Sequence, residues 1–168
     1  IPYMKFEDLK QNARLFSEAL RNIAEQENLQ WGKDFTIVIS SDAVHYGDKD
    51  WGGKNFAKYG ADTSGYEEAL QHERKLIDST LTGAMTKKKI RNFYYSTVKK
   101  ENYKEYVWTW CGRFSIPFGL LASINLSEQK GAPLSGELID YSTSIEDKPI
   151  PVEDIQMGHT APATIRHW

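Results

Sequence analysis

Apolar residues recur in alternating steps of three and four from Phe6 through Leu9, Ala13, Phe16 and Leu20 to Ile23. That spacing predicts an amphipathic helix of about five turns. Asp8, Lys10, Arg14, Glu18 and Arg21 take its wet face, and the helix ends near Gly32. A very different run follows at once: Phe35-Thr36-Ile37-Val38-Ile39-Ser40, apolar and β-branched between turn signals. Such a run has the look of a central strand buried on both faces. Ahead of the helix, Ile1-Pro2-Tyr3-Met4 reads as the end of a strand already in progress rather than as an initiator sequence, as in a processed or truncated product. Strand, helix and strand in that order point to a right-handed βαβ unit.

The rest of the chain extends that expectation. Residues 42–64 form a long connection holding four glycines (Gly47, Gly52, Gly53, Gly60) and the aromatics Tyr46, Trp51, Phe56 and Tyr59. Connections of this length without regular structure are uncommon and often functional. Ser64 and Glu67 are spaced as a capping box for a helix that carries Ala69, Leu70, Glu73, Leu76, Ile77 and Leu81 and stops at Gly83. Thr86 caps a short basic helix to about Tyr95, and Ile116–Leu126 reads as a buried helix with Pro117 in its first turn. Residues 137–143 and 157–166 read as strands, and 127–136 as a loop. The fold expected from these elements is α/β, a three-layer arrangement with a mostly parallel or mixed central sheet and helices on both faces. Residues 1–168 would form a single unit of this kind.

Composition narrows the function classes. The formal net charge is -2, which gives no overall attraction to nucleic acid or to an anionic membrane. The basic clusters at 87–89 and 99–100 fit a solvated face at least as well as a phosphate contact. No stretch of about 18 apolar residues occurs, so no transmembrane helix is expected. The opening IPYMKFEDLK lacks a basic region followed by an apolar run, so no signal peptide is expected. Cys111 is the single cysteine; it cannot form an intramolecular disulfide, which fits a reducing compartment and a cytoplasmic location.

Two stretches carry chemistry. In Ser40-Ser41-Asp42-Ala43-Val44-His45-Tyr46-Gly47, a carboxylate and an imidazole lie three residues apart where the apolar run ends. Asp supplies a fixed charge and His a titrating nitrogen or metal ligand, so the pair suits an acid–base or a metal role. The structural alternative is that Asp42 caps a turn and His45 is a satisfied core histidine. In Cys111-Gly112-Arg113, the thiol lies near a helix N-terminus with Arg113 close in sequence, and both features are expected to lower its pKa. The alternative is a small buried hydrophobe. Tyr46, Trp51 and Arg113 are candidate pocket residues. His72 is expected to face solvent, and His159 and His167 are expected to be structural or incidental. Asp42, His45 and Cys111 alone leave a closed metal site one or more ligands short.

The run Ile37-Val38-Ile39-Ser40-Ser41-Asp42-Ala43-Val44-His45-Tyr46-Gly47 resembles the Memo family, whose signature is a hydrophobic strand, Ser-Ser-Asp, two residues, His, an aromatic and Gly. Tyr46 stands where Trp is usual. Cys111-Gly112-Arg113 resembles the second family hallmark, with Phe114 in place of the usual His and with the proline displaced to Pro117. The resemblance spans essentially the whole chain and corresponds to the C-terminal half of a family member. It implies a fold similar to class III extradiol dioxygenases, which bind non-haem iron. It also implies a metal, iron or copper, approached by Cys111 and by histidines of the N-terminal half. Asp42 and His45 would then be the catalytic acid and base of the pocket, or further ligands, His45 in particular. A missing N-terminal half or a second chain would supply the other ligands; zinc is an alternative metal. The functions in view are a metal-dependent redox or dioxygenase-like enzyme, a non-enzymatic module that binds a small molecule or peptide, and a thiol enzyme using Cys111 with His45 as base.

Overall fold

The helix α1 runs Phe6–Gln26 as the spacing predicts, but the stripe it buries is not the whole apolar set. Phe6, Leu9 and Ala13 are buried, and the seam then continues through Ser17 and Ala24. Phe16 and Ile23 remain 40% and 52% exposed. Steps of three and four average less than the helical period, so the apolar series drifts around the axis. At roughly 100° per residue, Ile23 lies about 100° away from Phe6, whereas Ser17 and Ala24 fall within about 20° of it. Ser17 satisfies itself in this buried place, its hydroxyl donating to the Ala13 carbonyl at 2.7 Å and accepting from Asn125 Nδ2 at 3.3 Å.

The computed structural model describes residues 1–47, 56–128 and 131–143. Among the described residues, three further helices follow α1: α2 (Thr63–Thr80), α3 (Lys87–Thr97) and α4 (Ser115–Glu128). A single 3-10 turn, Cys111–Arg113, leads directly into α4. The α4 sequence is apolar on all sides and is buried along most of its length, with α1 and α3 packed against it. Pro117 sits in its first turn, where the missing N–H leaves no hydrogen bond unmade. Phe6, Leu9, Ile90, Tyr94, Phe114 and Leu121 form one core. A second core gathers Val44, Tyr46, Leu76, Phe93, Trp108 and Trp110. Each Leu or Phe so enclosed contributes roughly 1.5–3 kcal/mol relative to exposure.

The caps explain where two helices begin. Thr86 accepts from Lys89 N at 3.2 Å and starts α3, as expected. The α2 cap is Asp62, not Ser64: its carboxylate accepts from Gly65 N at 2.8 Å. Gly65 is required there, because a Cβ would meet the Gly60 carbonyl oxygen at 2.3 Å.

The three-layer α/β fold with a central sheet is not what forms. The described residues are mostly helical, and their only sheet pairs β1 (Gly83–Ala84) with β2 (Ser135–Gly136), antiparallel and two residues long. The run at 35–40 is the decisive case. Its side chains do alternate, with Ile37 and Ile39 turned inward and Val38 84% exposed. Ile39 packs so closely on α4 that a Cβ at Gly119 would meet its Cδ1 at 2.5 Å. Yet no neighbouring chain pairs with 36–40 among the described residues, and a strand is defined by its ladder, not by its side-chain period. Residues 1–4 and 137–143 likewise lack strand partners, so the βαβ unit expected at the start is a single helix between unpaired segments. The strand expected at 157–166 lies outside the described residues.

Candidate functional site

One short backbone pairing assembles the candidate site. Val44 and Trp110 form an isolated antiparallel bridge. His45 N donates to the Thr109 carbonyl at 3.1 Å, and Cys111 N donates to the Ala43 carbonyl at 3.1 Å. The Thr109 hydroxyl donates to the carbonyl of His45 as well. In this register Cys111 stands across from Ala43, with Asp42 and His45 on either side of that position. Gly112 allows the approach: a Cβ there would meet Ser41 Oγ at 2.7 Å and Ile116 Cδ1 at 2.6 Å.

The three residues singled out from two distant stretches are thereby brought together. One ligand atom each from Asp42, His45 and Cys111 lie within 4.8 Å of one another. His45 Nε2 is 3.5 Å from Asp42 Oδ2, with the imidazole 15% exposed and the carboxylate 75% exposed. The donor set of one oxygen, one nitrogen and one sulfur suits zinc, iron or copper. Ligands on one such ion stand about 3.3–3.8 Å apart, so closing on a metal needs side-chain shifts of about 1 Å. Exposed Asp42 and Cys111 side chains have the freedom for shifts of that size.

The thiol is not activated in the way the sequence suggested. Burial of its surroundings and the nearby Asp42 carboxylate push the Cys111 pKa up. Arg113 and a hydrogen bond with Tyr106 act in the opposite direction but do not prevail. Proximity to a 3-10 turn and one arginine is therefore insufficient to favour thiolate here, which weakens the reading of Cys111 as a free nucleophile.

Arg113 is enclosed, with 3% of its surface exposed. Its guanidinium carbon stands 3.6 Å from the centroid of the Tyr106 ring and 5.0 Å from that of Tyr3. It lines a cavity of about 500 Å³ together with Tyr106, Trp108 and Thr109. Tyr46, expected as a pocket wall, is instead a buried pin. Its hydroxyl donates to the Gly60 carbonyl at 2.8 Å and accepts from Tyr59 N at 2.9 Å, and it does not line that cavity. Trp51, the other expected pocket residue, lies outside the described residues, as do His159 and His167.

Sequence reasoning missed Tyr106, which touches both Cys111 and Arg113. Its position five residues before the cysteine, in a polar-aromatic stretch without a period, gave no signal beyond aromaticity. His72 also differs from expectation. It is half-buried, shares a 2.8 Å hydrogen bond between Nδ1 and the Tyr59 hydroxyl, and packs its ring 4.5 Å from that of Trp108. Burial, then Lys58 and Lys75, lower its pKa.

No family model matches the chain, and neither a curated protein nor a solved structure does. Among the described residues, no helix is long and apolar enough to cross a membrane.

Proposed function

We propose that Asp42, His45 and Cys111 hold a single transition metal and that the chain serves a metal-dependent redox or dioxygenase-like reaction of the Memo type. The observation that carries this reading is the convergence of one oxygen, one nitrogen and one sulfur ligand within 4.8 Å. Cys111 would bind through sulfur and His45 through a ring nitrogen, and the Asp42 carboxylate would add a third bond and offset the metal's charge. Iron or copper would supply one-electron redox chemistry, and zinc would supply polarisation without it. The backbone ladder between 43–45 and 109–111 fixes the spacing of these groups. Three protein ligands leave positions for substrate, and a second chain or a further segment would complete the set.

A raised thiol pKa is compatible with metal binding. A coordinated cysteine is deprotonated by the ion itself, so a protonated resting thiol is no obstacle. The second reading is a non-enzymatic module that binds a small molecule or peptide. The cavity walled by Tyr3, Phe56, Tyr106 and Trp108 favours it, since a ligand can be held there without any metal.

The test is copper and cobalt titration of the purified chain, with metal content by mass spectrometry. A sulfur-to-metal charge-transfer band at one equivalent, lost in Cys111→Ser and weakened in His45→Ala, is expected. No bound metal and no such band would overturn the metal reading and leave the binding module.

A further inference from the structure

A buried cation without a buried counter-charge asks for an anion. Arg113 keeps 3% of its surface exposed, and its Nε has no hydrogen-bond partner among the described residues. Among those residues, no carboxylate forms an ion pair with its guanidinium. Leaving such a group unpaired away from water is costly, and the cost falls when an oxyanion arrives. Stacking on Tyr106, with the guanidinium carbon 3.6 Å from the ring centroid, occupies the face of the guanidinium. Its N–H edge is the part left for two parallel bonds to a carboxylate or a phosphate.

The surroundings agree. Lys58 and Lys104 line the same cavity, and neither has an ion-pair partner among the described residues. The wall's carboxylate, Glu105, is already engaged by Lys99 Nζ and Asn102 Nδ2. Tyr3, Phe56 and Tyr106 supply flat apolar surface, with Phe56 edge-on to Tyr106 at 5.9 Å between centroids. A volume of about 500 Å³ is the size of a small-molecule site.

We infer that the cavity beside Arg113 is an oxyanion subsite for a small molecule with a flat aromatic body, the anion accepting from the Arg113 edge and the ring lying among Tyr3, Phe56 and Tyr106. The subsite adjoins the proposed metal cluster through Tyr106, whose ring carries the Arg113 guanidinium and whose hydroxyl influences Cys111. Its role in turnover rests on the metal reading, whereas the binding itself does not.

Binding can be read from tryptophan fluorescence, because Trp108 lines the cavity. The purified chain is titrated with benzoate, phenyl phosphate and benzyl alcohol at low and high salt, with no metal added. Saturable binding of benzoate, phenyl phosphate or both is expected, at least tenfold tighter than the alcohol and weakened several-fold by salt. The tighter of the two anions identifies the carboxylate or the phosphate as the natural group. Arg113→Met is expected to lose at least tenfold for the anions and little for the alcohol. Arg113→Lys is expected to fall between, because it keeps charge without the forked edge. Lys104→Ala, on the rim, is expected to lose two- to threefold, so the inference stays testable if Arg113 variants do not fold. Equal binding of alcohol and anions, no saturation by either anion, or anion binding unchanged in both Arg113 variants would overturn it. Metal content is measured separately, so failure of the subsite and failure of the metal centre are distinguishable.

Discussion

Glu73 makes the stability of this fold depend on pH in a direction opposite to that of an ordinary surface carboxylate. The residue is 1% exposed on the inner face of α2. Its Oε2 accepts from the Tyr141 hydroxyl at 3.0 Å, and its Oε1 has no partner among the described residues. Burial raises its pKa from 4.5 to about 7, against the lowering effect of the Tyr141 hydrogen bond. The folded state therefore holds this proton more tightly than the unfolded state. Its contribution is fully present below pH 4.5, is lost as pH rises toward 7, and is absent above that. The full shift corresponds to about 3 kcal/mol, of which about 2.5 kcal/mol falls between pH 5 and pH 8. Glu73→Gln removes the titration while keeping an oxygen for Tyr141. Urea unfolding of both proteins at pH 5, 6, 7 and 8 isolates the effect. Contributions common to both cancel in the difference, including that of His72, whose lowered pKa acts in the opposite sense. The wild-type advantage over the glutamine variant should shrink by about 2.5 kcal/mol from pH 5 to pH 8. A difference that stays constant to within about 0.5 kcal/mol would refute the reasoning, because it would mean that Glu73 is not desolvated in the folded state.

Three further outcomes test the packing, each by urea unfolding at neutral pH. Asp62→Ala should cost about 1 kcal/mol and Ser64→Ala only a few tenths, and the reverse order would return the α2 cap to the position the capping-box spacing suggests. Ser17→Leu should cost about 1–3 kcal/mol by overfilling the α1–α4 seam, while Ile23→Gln should stay within about 0.5 kcal/mol; equal losses would contradict the drift of the apolar series out of the buried stripe. Gly119→Ala should destabilise despite alanine's better helix propensity, because its Cβ would meet Ile39. Adding Ile39→Ala should then recover at least about 0.5 kcal/mol relative to additivity, and strict additivity would argue against that contact.

What could be read from the chain alone divides along a physical line. Helices are local, so spacing located them: α1 begins at Phe6, α3 begins after Thr86, and α4 contains Pro117 in its first turn, although α2 is capped by Asp62 and not by Ser64. Sheets are not local. Residues 35–40 have the composition and the alternation of a strand, but pairing depends on a neighbour that the run itself does not encode. The same limit applies to the site. Asp42, His45 and Cys111 were each visible as chemistry-bearing residues, and their meeting within 4.8 Å depends on one backbone bridge between Val44 and Trp110. Tyr106 had neither a motif nor a period to mark it. The pKa of Cys111 was misjudged because sequence proximity to Arg113 says nothing about the burial and the Asp42 carboxylate that outweigh it.

The construction of the site decides how substitutions in it should be interpreted. The segments carrying His45 and Cys111 are joined through main-chain groups, His45 N to Thr109 O and Cys111 N to Ala43 O, with Trp110 and Val44 buried beneath. None of those bonds involves the side chain of Asp42, His45 or Cys111. Replacing one of these proposed ligand side chains would therefore remove a donor and leave the frame in place, whereas replacing Val44 or Trp110 with a small residue opens the core that supports it. Arg113 belongs to neither group: it is buried like a core residue, yet its charge makes no ion pair with the described residues, so its substitution alters the cavity and the local electrostatics together. A loss of metal in Cys111→Ser with unchanged unfolding would thus speak to coordination. A loss of anion affinity in Arg113→Lys, where the charge is kept, would speak to the forked geometry of the guanidinium rather than to the field around it.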